Sequence, residues 1–185
     1  AAVALATVRA ILDPERAFES DRYVGADRGA VWLELARLDL DLATFLDDVA
    51  EGRRLLRANR RDEALARFEQ AEAAYRGDFL EEDPYEDWAA APRDEAQTAY
   101  VDAAREVAGA AVAAGEPDTA IRIQLRILEL DAYDERANMG LVAALLQAGR
   151  HGEARRRYGV YVAKMVEIGV EAAPFPTAGP RAVAA

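Results

Sequence analysis

Small and apolar residues recur at intervals of three and four along most of the chain. Phe45, Val49, Gly52 and Leu56 keep that spacing, and Ala64, Phe68, Ala71 and Tyr75 keep it again after the polar break Asn59-Arg-Arg-Asp-Glu-Ala64. The pattern predicts two amphipathic helices joined by a tight turn, with their stripes facing each other. A second pair runs through Ala96, Tyr100, Ala104, Val107 and Ala111, then Ala120, Ile123, Ile127 and Leu130, and its turn is Gly115-Glu-Pro-Asp-Thr-Ala120. The third runs through Ala137, Leu141, Ala144 and Leu145, then Ala154, Tyr158, Tyr161 and Met165, about the turn Gly149-Arg-His-Gly-Glu-Ala154. Each turn offers a glycine or asparagine that tolerates the left-handed conformation ending a helix. The alanine after it marks a close helix crossing. Pro92 and Pro117 are expected at helix starts, where a missing backbone N–H costs nothing.

Ala120 and Ala154 stand 34 residues apart, whereas Ala64 and Ala120 are separated by 56, an excess of 22. A period of 34, with small residues at the crossings and large ones four and seven positions on, resembles the tetratricopeptide repeat. Ala64, Phe68, Ala120, Ala154 and Tyr158 are then the repeat-packing positions. The proline that usually ends such a repeat is replaced by Ala132. The excess holds Arg76-Gly-Asp-Phe-Leu-Glu-Glu-Asp-Pro-Tyr-Glu-Asp-Trp88, read as a loop crossing the surface of the helices. The first forty residues differ in kind: Ala2 to Leu12 reads as a short helix, and Arg22-Tyr-Val-Gly25 and Ala30-Val-Trp-Leu-Glu-Leu35 read as strands of a β-hairpin about Ala26-Asp-Arg-Gly29. Such a ribbon needs further strands or the helices as support, so the chain reads as cut from something longer. The expected fold is all-α, stacked tetratricopeptide-like helix hairpins preceded by a short helix and a β-hairpin.

Composition removes several kinds of chemistry. There is no cysteine, which leaves no disulfide, thiolate zinc site or cysteine nucleophile, and His151 is the single histidine. The only serine, Ser20, has no histidine and acid to complete a triad, and no glycine-rich phosphate loop is present. An enzyme is not expected, and neither is a cofactor or a metal. The formal net charge of -11 makes the bulk of the chain a poor platform for nucleic acid. No apolar run is long enough to span a bilayer and no secretory signal is seen, so no membrane partner is expected and the location is expected to be cytoplasmic.

Arg37-Leu-Asp-Leu-Asp-Leu-Ala-Thr-Phe45, Ala74-Tyr-Arg-Gly-Asp-Phe-Leu80, Asp87-Trp-Ala89, Leu128-Glu-Leu-Asp131 and Ala148-Gly-Arg-His-Gly-Glu-Ala154 together resemble the bacterial transcriptional activator domain of the antibiotic regulatory protein (SARP) family. In that family a response-regulator-type winged helix comes first, and Ala4-Leu-Ala-Thr-Val-Arg-Ala-Ile-Leu12 with the Tyr23 to Leu35 ribbon resembles its recognition helix and wing. The resemblance implies a winged-helix remnant over 1–37, an activator domain over 38–171 and a flexible tail over 172–185. It also implies a regulatory and oligomerisation domain that contacts protein, whether a second protomer, effector domains or RNA polymerase. DNA would be bound through the complete winged helix and not by this fragment alone, with Thr7, Arg9, Arg22 and Arg28 as the implied contacts. Two departures stand out: the family's usual Val-Glu-Pro-Ser-Pro-type ending is Val170-Glu-Ala-Ala-Pro-Phe-Pro here, and the earlier winged-helix helices are missing. The rival reading is a free-standing tetratricopeptide adaptor that captures an extended peptide and has no role at DNA.

Each candidate has a plainer explanation beside it. His151 with Arg150, Arg155, Arg156 and Arg157 would suit a phosphate or acidic partner, but an exposed turn histidine among solvated arginines accounts for it and is preferred. Asp78, Glu81, Glu82, Asp83, Glu86 and Asp87 lack the spacing and glycine of a calcium loop; a solvated loop is preferred over a docking surface for a basic partner. Phe79, Tyr85 and Trp88 either plug the edge of the first hairpin, the preferred reading, or anchor a protein partner. The first 37 residues hold five arginines against six acids, so a solvated surface explains any one of the implied DNA contacts equally well.

Overall fold

The structure is a computed structural model that describes residues 2–176, and it falls into two compact units divided after Thr44. In the first, helix α1 (Ala2–Leu12) is followed by strands β1 (Val24–Ala26) and β2 (Val31–Leu33), paired antiparallel with Gly25 opposite Trp32. The indole lies over that glycine so closely that a Cβ there would meet it at 2.3 Å. The Asp27 carboxylate accepts from the amides of Gly29 and Ala30, each at 2.8 Å, and closes the turn. Those two donors hold its pKa below the usual carboxylate range.

The second unit holds the repeat. Helices α2 (Asp41–Arg57), α3 (Arg61–Ala74), α4 (Asp87–Ala114), α5 (Pro117–Leu130), α6 (Glu135–Gln147) and α7 (His151–Glu167) follow in order. From α3 onward each packs on the next. The three turns between paired helices are built alike. Asn59, Gly115 and Gly149 all have positive φ, and the following amide reaches back to the last turn: Arg60 to the Leu55 carbonyl, Glu116 to Ala111 and Arg150 to Leu145. Ala64, Ala120 and Ala154 are fully buried and Phe68 nearly so, so the turn-following alanines sit where the helices crowd. Ala120 and Ala154 share one apolar cluster with Leu141, Ala144 and Leu145, and Tyr158 is packed against it.

Two expectations are revised. Pro92 does not open α4 but lies in its second turn, because the helix starts at Asp87. The proline leaves the Trp88 carbonyl without its helical donor, at an exposed residue where water can serve instead. Residues 172–176, expected in a flexible tail, lie along α7: the Tyr161 hydroxyl accepts from the Ala173 amide at 2.8 Å and the Tyr158 hydroxyl donates to the Ala173 carbonyl at 2.9 Å. Phe175 stands edge-on to Tyr158 beneath the Arg155 guanidinium. The rest of that tail, 177–185, falls outside the described residues.

Candidate interaction surface

The connection between α3 and α4 is an ordered loop. Tyr75, at the end of α3, is buried and stacks on Tyr100 with ring centroids 4.4 Å apart. Its hydroxyl donates to Asp78, which also accepts from Gln97 of α4, both at 2.8 Å. Burial and the Asp78 carboxylate push the Tyr75 hydroxyl well above the usual phenol range, and burial pushes Tyr100 up to about 12. Arg93 then reaches out of α4 and donates to the carbonyl oxygens of Phe79 at 3.1 Å, Leu80 and Pro84 at 3.4 Å and Asp83 at 3.5 Å. One guanidinium thereby gathers the carbonyls of a turn that has no ladder of its own.

What the loop presents is aromatic and acidic. Tyr85 is 94% exposed and Trp88 64%, while Phe79 is half-buried and stands edge-on to Trp88 at 6.3 Å. Edge-plugging therefore describes Phe79 and not the other two. The Trp88 indole N–H donates to Glu86, and Glu81, Glu82, Asp83, Glu86 and Asp87 are all exposed around the rings. Exposed rings held in place by a pinned backbone lose little freedom when a partner covers them, and tyrosine and tryptophan are over-represented among residues that dominate protein contacts.

The residues implied for DNA have different surroundings. Arg9 is committed to the fold, donating to the Val24 carbonyl at 2.9 and 3.2 Å and tying α1 to β1. Arg22 lies 4.1 Å over the Phe18 ring and contacts Tyr23 as well. Thr7 is exposed on α1, where its hydroxyl donates back to the Val3 carbonyl, and Arg28 is exposed at the hairpin turn. His151 is exposed at the start of α7.

Sequence reasoning missed two polar arrangements inside the array. Glu72 of α3 is only 6% exposed and accepts from Arg122 at 2.9 Å and Arg126 at 3.1 Å on α5, and Arg126 also donates to the Tyr75 carbonyl. The other is a ladder: Arg53 of α2 meets Asp102 of α4 at 2.5 Å, and Arg105 of α4 meets Asp134, whose carboxylate caps α6 by accepting from the Ala137 amide. The signal for Glu72 was its place on the Ala64, Phe68, Ala71, Tyr75 stripe, four residues after a buried ring. Beside Arg105, a cleft of about 680 Å³ opens between α2, α3, α4 and α6, lined among others by Leu56, Leu65, Phe68, Ala110 and Arg136. Among the described residues no helix is long and apolar enough to cross a membrane, and no group of acids and histidine is placed to hold a metal ion.

Stacked helix hairpins, preceded by a short helix and a β-hairpin, define a helical-repeat protein. The chain belongs to the bacterial transcriptional activator domain family, whose pattern it matches over residues 40–178. It is also similar in fold to the C-terminal TPR-containing domain of a Plasmodium falciparum protein described as FK506-binding. That likeness has a TM-score of 0.52 at 16% identity and covers 66% of this chain and 78% of the other. No curated protein matches the sequence.

Proposed function

We propose that this domain is the regulatory and self-association element of a transcription activator, and that it contacts protein through the loop between α3 and α4 beside a winged-helix DNA-binding head. The observation that carries the reading is the pair Tyr85 and Trp88, exposed on a backbone that Arg93 holds at four carbonyls. Large rings left in water on a braced loop are costly unless something covers them. The helix and ribbon of the first unit support a winged-helix remnant, with Thr7 and Arg28 left accessible for a duplex and Arg9 and Arg22 serving the fold.

The test is transcription by the full-length activator carrying Tyr85→Ala and Trp88→Ala together. Activation in a purified system falls at least tenfold while operator binding, read by gel shift, is kept; activation at the wild-type level would refute the role given to the loop. In the same protein Arg28→Ala weakens duplex binding and lowers its salt dependence. The peptide-adaptor reading draws support from the cleft beside Arg105, and it predicts instead that activation is indifferent to an intact winged helix.

A further inference from the structure

We infer that the outward face of α7 is a self-association surface, built to pair antiparallel with α7 of a second copy of this chain. Ala154, Tyr161 and Met165 turn that helix inward, and residues 172–176 cover the flank at Tyr158 and Arg155. The opposite face carries Gly152, Arg156, Gly159, Val160, Ala163 and Glu167, all exposed. Val160 is 52% exposed and Val166, at its margin, 70%. A helix of a hairpin array that faces water carries a polar outer face. Here the middle of that face is small and apolar, and its charges stand at the two ends.

The arrangement of those charges selects the occupant. Arg156 and Glu167 lie eleven residues apart, three helical turns and about 16 Å along one stripe, with Val160 and Ala163 between them. In an antiparallel pair centred between Tyr161 and Val162, Arg156 stands opposite the partner's Glu167 and Val160 opposite the partner's Ala163, and symmetry repeats each contact, giving two ion pairs in all. A parallel pair would set arginine on arginine and glutamate on glutamate. The face is thus complementary to itself about a two-fold axis perpendicular to the helix, and two-fold dimers are the commonest homo-oligomers. Arg156 has no carboxylate partner among the described residues, whereas Glu167 uses one oxygen for Lys164 and Tyr133 and keeps the other. At Gly159 nothing stands within 4 Å of where a side chain would begin, so a second helix can come close. One helix per protomer is a small interface, and association in the micromolar range is the expectation.

The inference rests on the self-association part of the proposed function and is independent of the aromatic loop. Sedimentation velocity on the full chain over a hundredfold concentration range is the test. The wild type doubles in mass as concentration rises. Arg156→Glu and Glu167→Arg each stay monomeric, with unchanged helix content by circular dichroism. Mixed in equal amounts they form a dimer again, because one face is then wholly acidic and the other wholly basic. A wild type that is monomeric throughout would sink both this surface and the self-association reading. A wild-type dimer indifferent to both substitutions, or a mixture that stays monomeric, overturns the surface alone. Dimerisation only after residues 177–185 are removed would show that the chain's own end occupies the face, and would also overturn it.

Discussion

Replacing Gly52 with alanine sets two known effects against each other on a single atom. Alanine is preferred to glycine inside a helix by about 0.5–1 kcal/mol, so a permissive site gains by the change. Gly52 is not permissive: its new Cβ would lie 2.6 Å from one Phe68 ring carbon and 2.9 Å from two more. Carbon contacts settle near 3.5–4.0 Å, so the ring or α2 itself must shift by about 1 Å. Phe68 is almost fully buried, and forcing such a shift costs about 1–3 kcal/mol. The net expectation is a loss of about 1 kcal/mol. Gly109, inside α4 with nothing within 4 Å of its Cβ position, is the control, and Gly109→Ala gains the helix preference unopposed. Since that preference is common to both, the difference between the variants isolates the steric cost. It should reach about 1–3 kcal/mol by urea unfolding at constant m, or several degrees in Tm at about 2–4 °C per kcal/mol for a chain of this size. On a Phe68→Leu background the Gly52→Ala loss should shrink. If Gly52→Ala proves as stable as Gly109→Ala, the close approach of the first hairpin's two helices is not what fixes their packing.

The buried carboxylate gives a second expectation: Glu72→Gln leaves two arginines with a neutral acceptor and lowers stability by about 1–3 kcal/mol, at the low end because Arg122 is itself half in solvent. Chemical denaturation reads it, and an unchanged midpoint would mean that the pair only breaks even. Arg93→Ala releases the loop without touching the core, so amide exchange across 79–86 should speed up at least tenfold while the global midpoint moves little; uniform exchange before and after would contradict the pinning. The raised Tyr100 pKa fixes the sign of an alkaline effect. A folded-state value of about 12 against about 10 unfolded means stability is full below pH 10 and declines as pH rises from 10 towards 12, by on the order of 2 kcal/mol across that window. Tyr100→Phe, which also removes a buried hydroxyl lacking any partner among the described residues, should lessen that decline and leave the part that the raised Tyr75 hydroxyl contributes with the same sign.

Much of the array was legible because its determinants are local. Asn59, Gly115 and Gly149 announce helix ends through backbone freedom alone, and the alanine five residues after each marks the crossing with no knowledge of what it meets. What could not be read depends on residues far apart in the chain. Helix α4 begins five residues before Pro92 because the preceding loop is gathered by Arg93 at carbonyls up to fourteen residues away, and no spacing rule carries that. Glu72 looked like one more acid until α5, fifty residues on, delivered Arg122. The segment Ala172-Ala-Pro-Phe-Pro176 has the composition of a flexible end, yet Phe175 finds Tyr158 and the Ala173 backbone finds two tyrosine hydroxyls. The acid-rich segment is legible as a solvated surface loop, but its order is not, because that comes from Tyr75, Asp78, Gln97 and Arg93 beneath it.

The loop and the α7 face belong to the first and last hairpins of one array, and the ion pairs between the hairpins bear on whether they act on each other. Arg53 to Asp102 joins the first hairpin to the second, and Arg105 to Asp134 joins the second to the third, so the array has a continuous brace through which strain could pass. Each link is partly solvated, however, and exposed pairs are worth at most about 1 kcal/mol, too little to hold two alternative packings apart. The surfaces should therefore behave independently. Trp88→Ala and Arg156→Glu, measured singly and together for dimerisation and for activation, should combine within about 0.5 kcal/mol of the sum. A larger coupling that disappears in Asp102→Asn would show instead that the brace transmits between the ends, and the domain would then be a relay and not a rigid spacer.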